Sequence, residues 1–327
     1  MDKHRDTRSY DRRDQDPRGR RGGATRRKRK KHGRAFKVVM TIVLIFVITL
    51  AMLLCMSAAY IKNVIIPDAS LDMSDFNPNL TSKVLAQNPE TGSYETVQTL
   101  YGEENRVWVS TDEIPKYLKD AAVAIEDKRF FQHQGVDWFT TTKACVNMFL
   151  GGGSTFGGST ITQQLIKNLT TVDDVTVRRK VLEIFRALQF EDRYTKEEVL
   201  EWYLNTIYLG EGCAGVQSAA RTYFGKDVSK LTTAECASLI SITNNPSLYN
   251  PKYDRTYTRK DGTTITPREL NKQRQELILD KMSKVINPDT GKPYLTKEEC
   301  EAAKAEPLNF TDTSGDASEL VKTDGIE

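Results

Sequence analysis

Val38 to Tyr60 form an unbroken run of 23 residues that carries no charge. As a helix it is about 34 Å long, enough to cross a hydrocarbon core. A buried helix of a soluble protein is rarely so long and so evenly apolar. The nearest rival is a cleaved signal peptide, whose apolar centre is normally about 7 to 15 residues. The length predicts a retained transmembrane anchor at 38–60.

The flanks give that anchor a direction. Residues 1–37 hold sixteen Lys and Arg against five Asp, a local charge of +11 in a chain whose net charge is +3, so the remainder sums to −8. Basic residues beside a first membrane helix stay on the cytoplasmic side. The amino terminus is therefore expected inside the cell membrane, and everything beyond Tyr60 outside it, in an extracellular or periplasmic space. The tail has too few apolar residues to fold alone. Arg26-Arg27-Lys28-Arg29-Lys30-Lys31 has the composition of a nucleic-acid patch, but beside a membrane helix it suits anionic headgroups better, and no nucleic-acid partner is expected. Of five cysteines, Cys55 lies in the apolar run; Cys145, Cys213, Cys236 and Cys300 lie outside it and lack metal-ligand spacing. They are read as two bridges of unreadable pairing or as buried thiols.

The outer part divides by composition. Residues 61–109 are polar, with a short extended stretch near Ser93–Leu100, and read as a juxtamembrane stalk. Residues 110–282 read as one mainly α domain. Residues 283–327 read as a linker-like region and an acidic tail. Four helix starts carry capping boxes: Thr195 with Glu198, Thr232 with Glu235, Thr266 with Glu269 and Pro267 at the first turn, and Thr296 with Glu299.

Three stretches carry candidate chemistry. Glu126 ends the apolar segment Ala121-Ala122-Val123-Ala124-Ile125 and precedes Asp127-Lys128-Arg129-Phe130. A partly shielded carboxylate is suited to accept a proton near neutral pH; the plainer reading is a surface glutamate in a charged turn. Gly157-Gly158-Ser159-Thr160-Ile161-Thr162-Gln163-Gln164-Leu165-Ile166-Lys167-Asn168 is a flexible entry into a helix whose free N–H groups attract phosphate. Thr160 and Gln163 have capping-box spacing, and Gln163/Lys167 and Gln164/Asn168 lie four apart. The plainer reading is a solvent-facing amphipathic helix. Arg179, Lys180 and Glu183 sit three and four apart on one helix, as an ordinary salt-bridge set or as cations for a phosphate leaving group beside a carboxylate.

These blocks resemble, from about Asn105 to Met282, the peptidoglycan glycosyltransferase (transglycosylase) family. That family comprises the lysozyme-like domain of class A penicillin-binding proteins and the monofunctional transglycosylases. The Glu-Asp-x-x-Phe-x-x-His-x-Gly block falls on Glu126, Asp127, Phe130, His133 and Gly135. The Gly-Gly-Ser-Thr-Ile-Thr-Gln-Gln block falls on Gly157 through Asn168, and Arg-Lys-x-x-Glu on Arg179, Lys180 and Glu183. Lys196–Asn205 and Gly215–Lys226 follow as further blocks. The resemblance implies a mainly α, lysozyme-like glycosyltransferase domain behind one N-terminal transmembrane helix.

It also implies lipid II as substrate, with lipid-linked glycan as donor and undecaprenyl diphosphate as leaving group. Glu126 is then the general base and Glu183 the second working carboxylate. Lys167, Arg179 and Lys180 meet phosphate; Asp127, Ser159, Thr160, Gln163, Gln164 and Asn168 hold substrate. No cofactor is required by the residues, although the family can use Mg or Mn at the diphosphate. Cell-wall synthesis or division proteins are the expected partners. Two departures stand out: Cys213-Ala214 in a loop more often polar or aromatic, and no basic residue in Thr171–Val177. No Ser-x-x-Lys, Ser-x-Asn and Lys-Thr-Gly set follows the body, so the chain is expected to be a truncated bifunctional protein or a one-domain enzyme. A lysozyme-like glycan hydrolase and a non-catalytic wall-precursor-binding scaffold are the alternatives.

Overall fold

The computed structural model of the chain describes residues 29–69, 82–87, 94–100, 105–149, 158–170 and 176–311. The chain divides into two compact units, Met1–Ala59 and Tyr60–Glu327. The basic residues before Arg29, Leu150 to Gly157 of the glycine-rich loop, residues 171–175 and the acidic end lie outside the described residues, and so do the expectations placed on them.

In the first unit the described residues belong to α1 (Arg29–Tyr60), and its apolar side chains are exposed. The stretch Ala35–Ala69 is long and apolar enough, by length and composition, to span a membrane. Thr41 and Thr49 donate their hydroxyls to the carbonyls of Lys37 and Ile45 at 2.9 and 3.0 Å, which removes these polar groups from an apolar surface.

The second unit begins with a π-helical turn, Ile61–Ile65, and α2 (Ile66–Ala69). A hairpin follows, β1 (Ser82–Gln87) antiparallel to β2 (Tyr94–Leu100) with a register shift between Val84 and Leu85. A short parallel pair joins β3 (Asn105–Arg106) to β4 (Cys213–Ala214). Between and after them run α3 (Lys116–Glu126), α4 (Trp138–Phe149), α5 (Ile161–Thr170), α6 (Val177–Glu191), α7 (Lys196–Thr206), α8 (Val216–Phe224), α9 (Thr233–Ser241), the hairpin β5–β6 (Tyr257–Thr258, Thr264–Ile265), α10 (Pro267–Met282) and α11 (Lys297–Ala305). The unit is mainly α, as its sequence predicts.

All four predicted capping boxes form, at the starts of α7, α9, α10 and α11. Their reciprocal hydrogen bonds satisfy amides that each first turn leaves open. The core is built around α3. Ala121, Ala122, Val123 and Ala124 are all buried, and their small side chains let α9 and α10 lie close against it. On the other side, α5 packs against α6 and α7. Gly135 has φ of +71°, and a Cβ there would meet the Ala187 carbonyl of α6 at 2.5 Å. Only glycine fits that turn.

Two boundaries differ from the sequence reading. The stalk is not wholly polar spacer: Ile65 and Ala69 are fully buried against Leu182 of α6. The linker-like region is partly core, because Tyr294, Leu295, Cys300 and Ala303 are buried in the same cluster as α3 and α9. Beyond α11, Phe310 stacks on Phe224 at 5.2 Å and Thr311 donates to the Thr222 carbonyl at 2.6 Å. Cys213, Cys236 and Cys300 are free, buried thiols. Burial pushes the Cys213 thiol up to about 11, too high for thiolate chemistry.

Candidate active site

Glu126 is the last residue of α3, where the helix ends and the chain turns at Asp127. Its side chain is 17% exposed. Two neutral groups meet its two oxygens: Gln164 Nε2 lies 3.0 Å from Oε2, and Thr243 Oγ1 lies 3.1 Å from Oε1. Arg274 of α10 stands 3.9 Å from Oε1. Gln164 is backed by Tyr203, whose hydroxyl donates to its Oε1 at 3.5 Å. Burial first, and then the charges of Glu126 and Asp127, push the Tyr203 phenol well above its ordinary range. It therefore remains a donor.

Glu126 faces a cavity of about 270 Å³, whose basic lining residues are Lys128, Arg129, Lys143 and Lys281. The Lys281 ammonium is held below its ordinary range by burial and by Arg274, with Glu126 opposing and Lys128 adding to the repulsion. An anion in this cavity would relieve those clashes.

A second cavity, of about 310 Å³, is lined by Lys167, Arg178, Arg179, Arg186, Glu183 and Asp68, among others. Four cations against two carboxylates leave an excess of positive charge there. Asp68 accepts from Arg178 at 2.6 Å, and its carbonyl accepts from Arg186 at 3.0 Å. Ser159 links the two cavities: it lines the first, and its hydroxyl accepts from Lys180 Nζ at 2.9 Å. Lys180 in turn makes a short ion pair with the buried Glu183, which lines the second.

The remaining candidates divide by what they touch. Thr160 and Gln163 do form a box at the start of α5, with Thr160 N–H donating to Gln163 Oε1 at 3.0 Å and Gln163 N–H to Thr160 Oγ1 at 3.1 Å. Both side chains are buried, and the Thr160 hydroxyl donates to the Gly135 carbonyl at 2.6 Å. They build the helix start and are not open to a ligand through their side chains. Asp127, read from sequence as a substrate contact, is also turned inward. Its carboxylate takes His133 Nε2 at 2.9 Å and the Ile161 N–H of α5 at 3.1 Å. Asp127 thus fixes α5, and with it Gln164, against Glu126. Lys167 and Asn168 are exposed on α5. Lys180, three residues before Glu183, makes the ion pair with it.

A family model described as Transglycosylase matches residues 93–283. The chain belongs to the transglycosylase family. It is 36% identical over 269 residues to penicillin-binding protein 1F of Bacillus subtilis (strain 168), covering 82% of this chain and 33% of that protein. It is 38% identical to penicillin-binding protein 1A/1B of the same organism, covering 69% and 24%. With penicillin-binding protein 1A of Escherichia coli (strain K12) it shares 40% identity, covering 54% and 22%. The chain thus spans a third or less of the length of these relatives. The crystal structure of penicillin-binding protein 1A from Haemophilus influenzae overlaps 67% of this chain and 20% of its own, at 23% identity and a TM-score of 0.36.

The sequence reading does not single out Thr243, Arg274, Lys281 or Lys128 of this transglycosylase domain, nor Asp68 ahead of it. Lys128 was legible as part of the block that holds Glu126. The others lie far from it in sequence, in segments with no chemistry-bearing pattern of their own.

Proposed function

We propose that this transglycosylase domain polymerises lipid II into β-1,4-linked glycan, with lipid-linked glycan as donor and undecaprenyl diphosphate as leaving group. The observation that carries the reading is the pairing of two carboxylates with two cation-lined cavities, joined through Ser159 and Lys180. Glu126 is the general base. It takes the proton of the acceptor sugar's 4-hydroxyl as that oxygen attacks the donor's anomeric carbon with inversion. The bond to the diphosphate breaks, and its electron pair leaves with the phosphate.

The cations serve the charges that this chemistry brings and creates. Arg274, Lys281, Lys128 and Lys143 suit the anionic acceptor near Glu126. Lys167, Arg179 and Lys180 suit the departing diphosphate near Glu183. Asp127 and Thr160 act as positioning residues for α5, and Asn168 is assigned to the sugar only as an exposed polar group on that helix. The donor set in the cavities suits phosphate better than a divalent metal: ammonium and guanidinium groups supply the charge, and Glu183 is already paired with Lys180. Among the described residues, one cluster has metal-ligand spacing, Asp280, Cys300 and Glu301. There Lys304 Nζ already lies 2.7 Å from Asp280 and 2.9 Å from Glu301. No step is therefore routed through a metal.

The apolar stretch in α1 and the basic tail support a single-pass anchor with the amino terminus in the cytoplasm and the catalytic domain outside. The test is to incubate the purified full chain with lipid II in detergent. Glycan polymer is expected, and Glu126→Gln should bind lipid II without polymerising it. Polymer made at the parental rate by Glu126→Gln would remove Glu126 as the base.

A further inference from the structure

Thr243 is the middle residue of the 3-10 turn Ile242–Asn244, which follows α9. Its Oγ1 is 3.1 Å from Glu126 Oε1 and 2.8 Å from the Ile240 carbonyl oxygen. A threonine hydroxyl has one proton, so it can donate to only one of these acceptors at a time. Among the described residues no other hydrogen-bond donor reaches Oε1: Gln164 serves Oε2, and Arg274 at 3.9 Å supplies charge beyond hydrogen-bond distance.

We propose that Thr243 is a positioning residue whose hydroxyl follows the proton on Glu126, donating to Oε1 while Glu126 is a carboxylate and turning to the Ile240 carbonyl once Glu126 is protonated. The inference rests on Glu126 being the base. An ionised carboxylate is the stronger acceptor, so it draws the hydroxyl from the helix carbonyl and is held in place by it. When the sugar O–H breaks and an O–H forms on Glu126, that advantage disappears. The electron pair of the sugar oxygen goes into the new bond to the anomeric carbon, and the diphosphate leaves with the pair of the old one. The Thr243 proton stays on Oγ1 throughout and changes only its acceptor. Ile240 O is already in reach, so the turn strands no buried polar group. With its own proton directed at Ile240, Oγ1 also becomes an acceptor for a proton on Oε1.

Other groups face Glu126 from every side. Arg274 and Lys281 come from α10, Lys143 from α4, and Tyr203 from α7. Asp127, Lys128 and Arg129 come from the turn after α3, with Asp137 beyond it. Burial and Arg274 hold the Lys281 ammonium below its ordinary range, and the buried Tyr203 phenol stays protonated. Thr243 alone among them combines hydrogen-bond distance to Oε1 with a second acceptor of its own. Valine fills the space of threonine without the donor, and serine keeps the donor, so the pair isolates the hydroxyl.

The experiment measures initial polymerisation rates of the full chain in detergent with lipid II, from about pH 5 to 9, for the parent, Thr243→Val, Thr243→Ser and Glu126→Gln. Thr243→Val is expected to lower kcat/KM about tenfold on the acid side and to move the acid limb toward neutral by roughly one pH unit, the equivalent of one charge-assisted hydrogen bond. Thr243→Ser should keep the parental limb and stay within about threefold of the parental rate. A Thr243→Val profile with the parental limb, or an even loss at every pH together with a lower melting temperature, would overturn the inference and leave Glu126 standing. Polymerisation by Glu126→Gln at the parental rate would overturn the base itself.

Discussion

Glu126 and Asp127 are chain neighbours with opposite duties, and burial separates them. Glu126 reaches a cavity and is met by an amide and a hydroxyl. Asp127 is 6% exposed and spent on His133 and the Ile161 amide. Breaking a buried ion pair by removing one partner costs roughly 3–5 kcal/mol. Asp127→Asn should therefore lower the melting temperature and polymerisation together, whereas Glu126→Gln should remove polymerisation and leave the melting temperature near the parental value. Equal melting temperatures for the two variants would return Asp127 to the ligand-binding residues.

Lys180 poses the same question in a different form. Its sequence spacing fits either an ordinary salt-bridge set or a cation for a phosphate leaving group. In the structure it is the partner of Glu183, whose side chain is 8% exposed. Lys180→Met strands that carboxylate, and a loss of about 1–3 kcal/mol in stability is expected beside the loss of turnover. Adding Glu183→Leu should restore the melting temperature but not polymerisation, because in the proposed mechanism both charges serve the reaction. Thermal melts and polymerisation rates of the single and double variants separate the two contributions.

At the scale of elements, local signals were legible and distant ones were not. Helix starts were read correctly where a threonine and a glutamate three residues later cap each other, because that interaction is complete within one turn. The second strand of the β1–β2 hairpin lay in the stretch read as extended, while β1 carried no such signal. What stayed hidden were pairings made across the fold. Thr243 meets Glu126 across 117 positions, and Asp68 meets Arg178 across 110. Nothing in the periodicity of either segment encodes such a meeting. The same holds for Tyr294 and Leu295, which look like linker residues but are buried in the main core cluster.

The docking of residues 61–69 gives a prediction at this scale. Ile65 and Ala69 are buried, but the Asp68–Arg178 pair is about half exposed on both sides. Such a pair contributes little to global stability, within roughly 1 kcal/mol. Asp68→Ala should leave the melting temperature nearly unchanged while amides of residues 61–69 exchange faster with deuterium. Unchanged exchange would mean that the apolar contact with Leu182 holds the segment without the ion pair.

For the molecule as a whole, the lipid-linked substrate proposed above sets a condition that the surface can meet. Among the described residues, α4 carries three exposed apolar side chains: Trp138 is 57%, Phe139 67% and Val146 48% exposed. Trp138 and Val146 lie eight residues apart and so share a helical face. Phe139 lines the Glu126 cavity and lies under Arg129, with the guanidinium 5.1 Å from its ring. Large apolar side chains that find no core, beside a cavity lined by cations, match the composition of a membrane–water boundary. The full chain in vesicles carrying brominated acyl chains should therefore show quenched tryptophan fluorescence. Trp108 and Trp202 pack on each other at 4.8 Å, and Trp108 also donates to Glu201, which ties that pair to the folded body. The quenching should thus belong to Trp138. Trp138→Phe is expected to abolish most of it while leaving the emission of the remaining pair in place. If Trp138→Phe is quenched as strongly as the parent, α4 does not enter the lipid, and its exposed face must be explained by another partner.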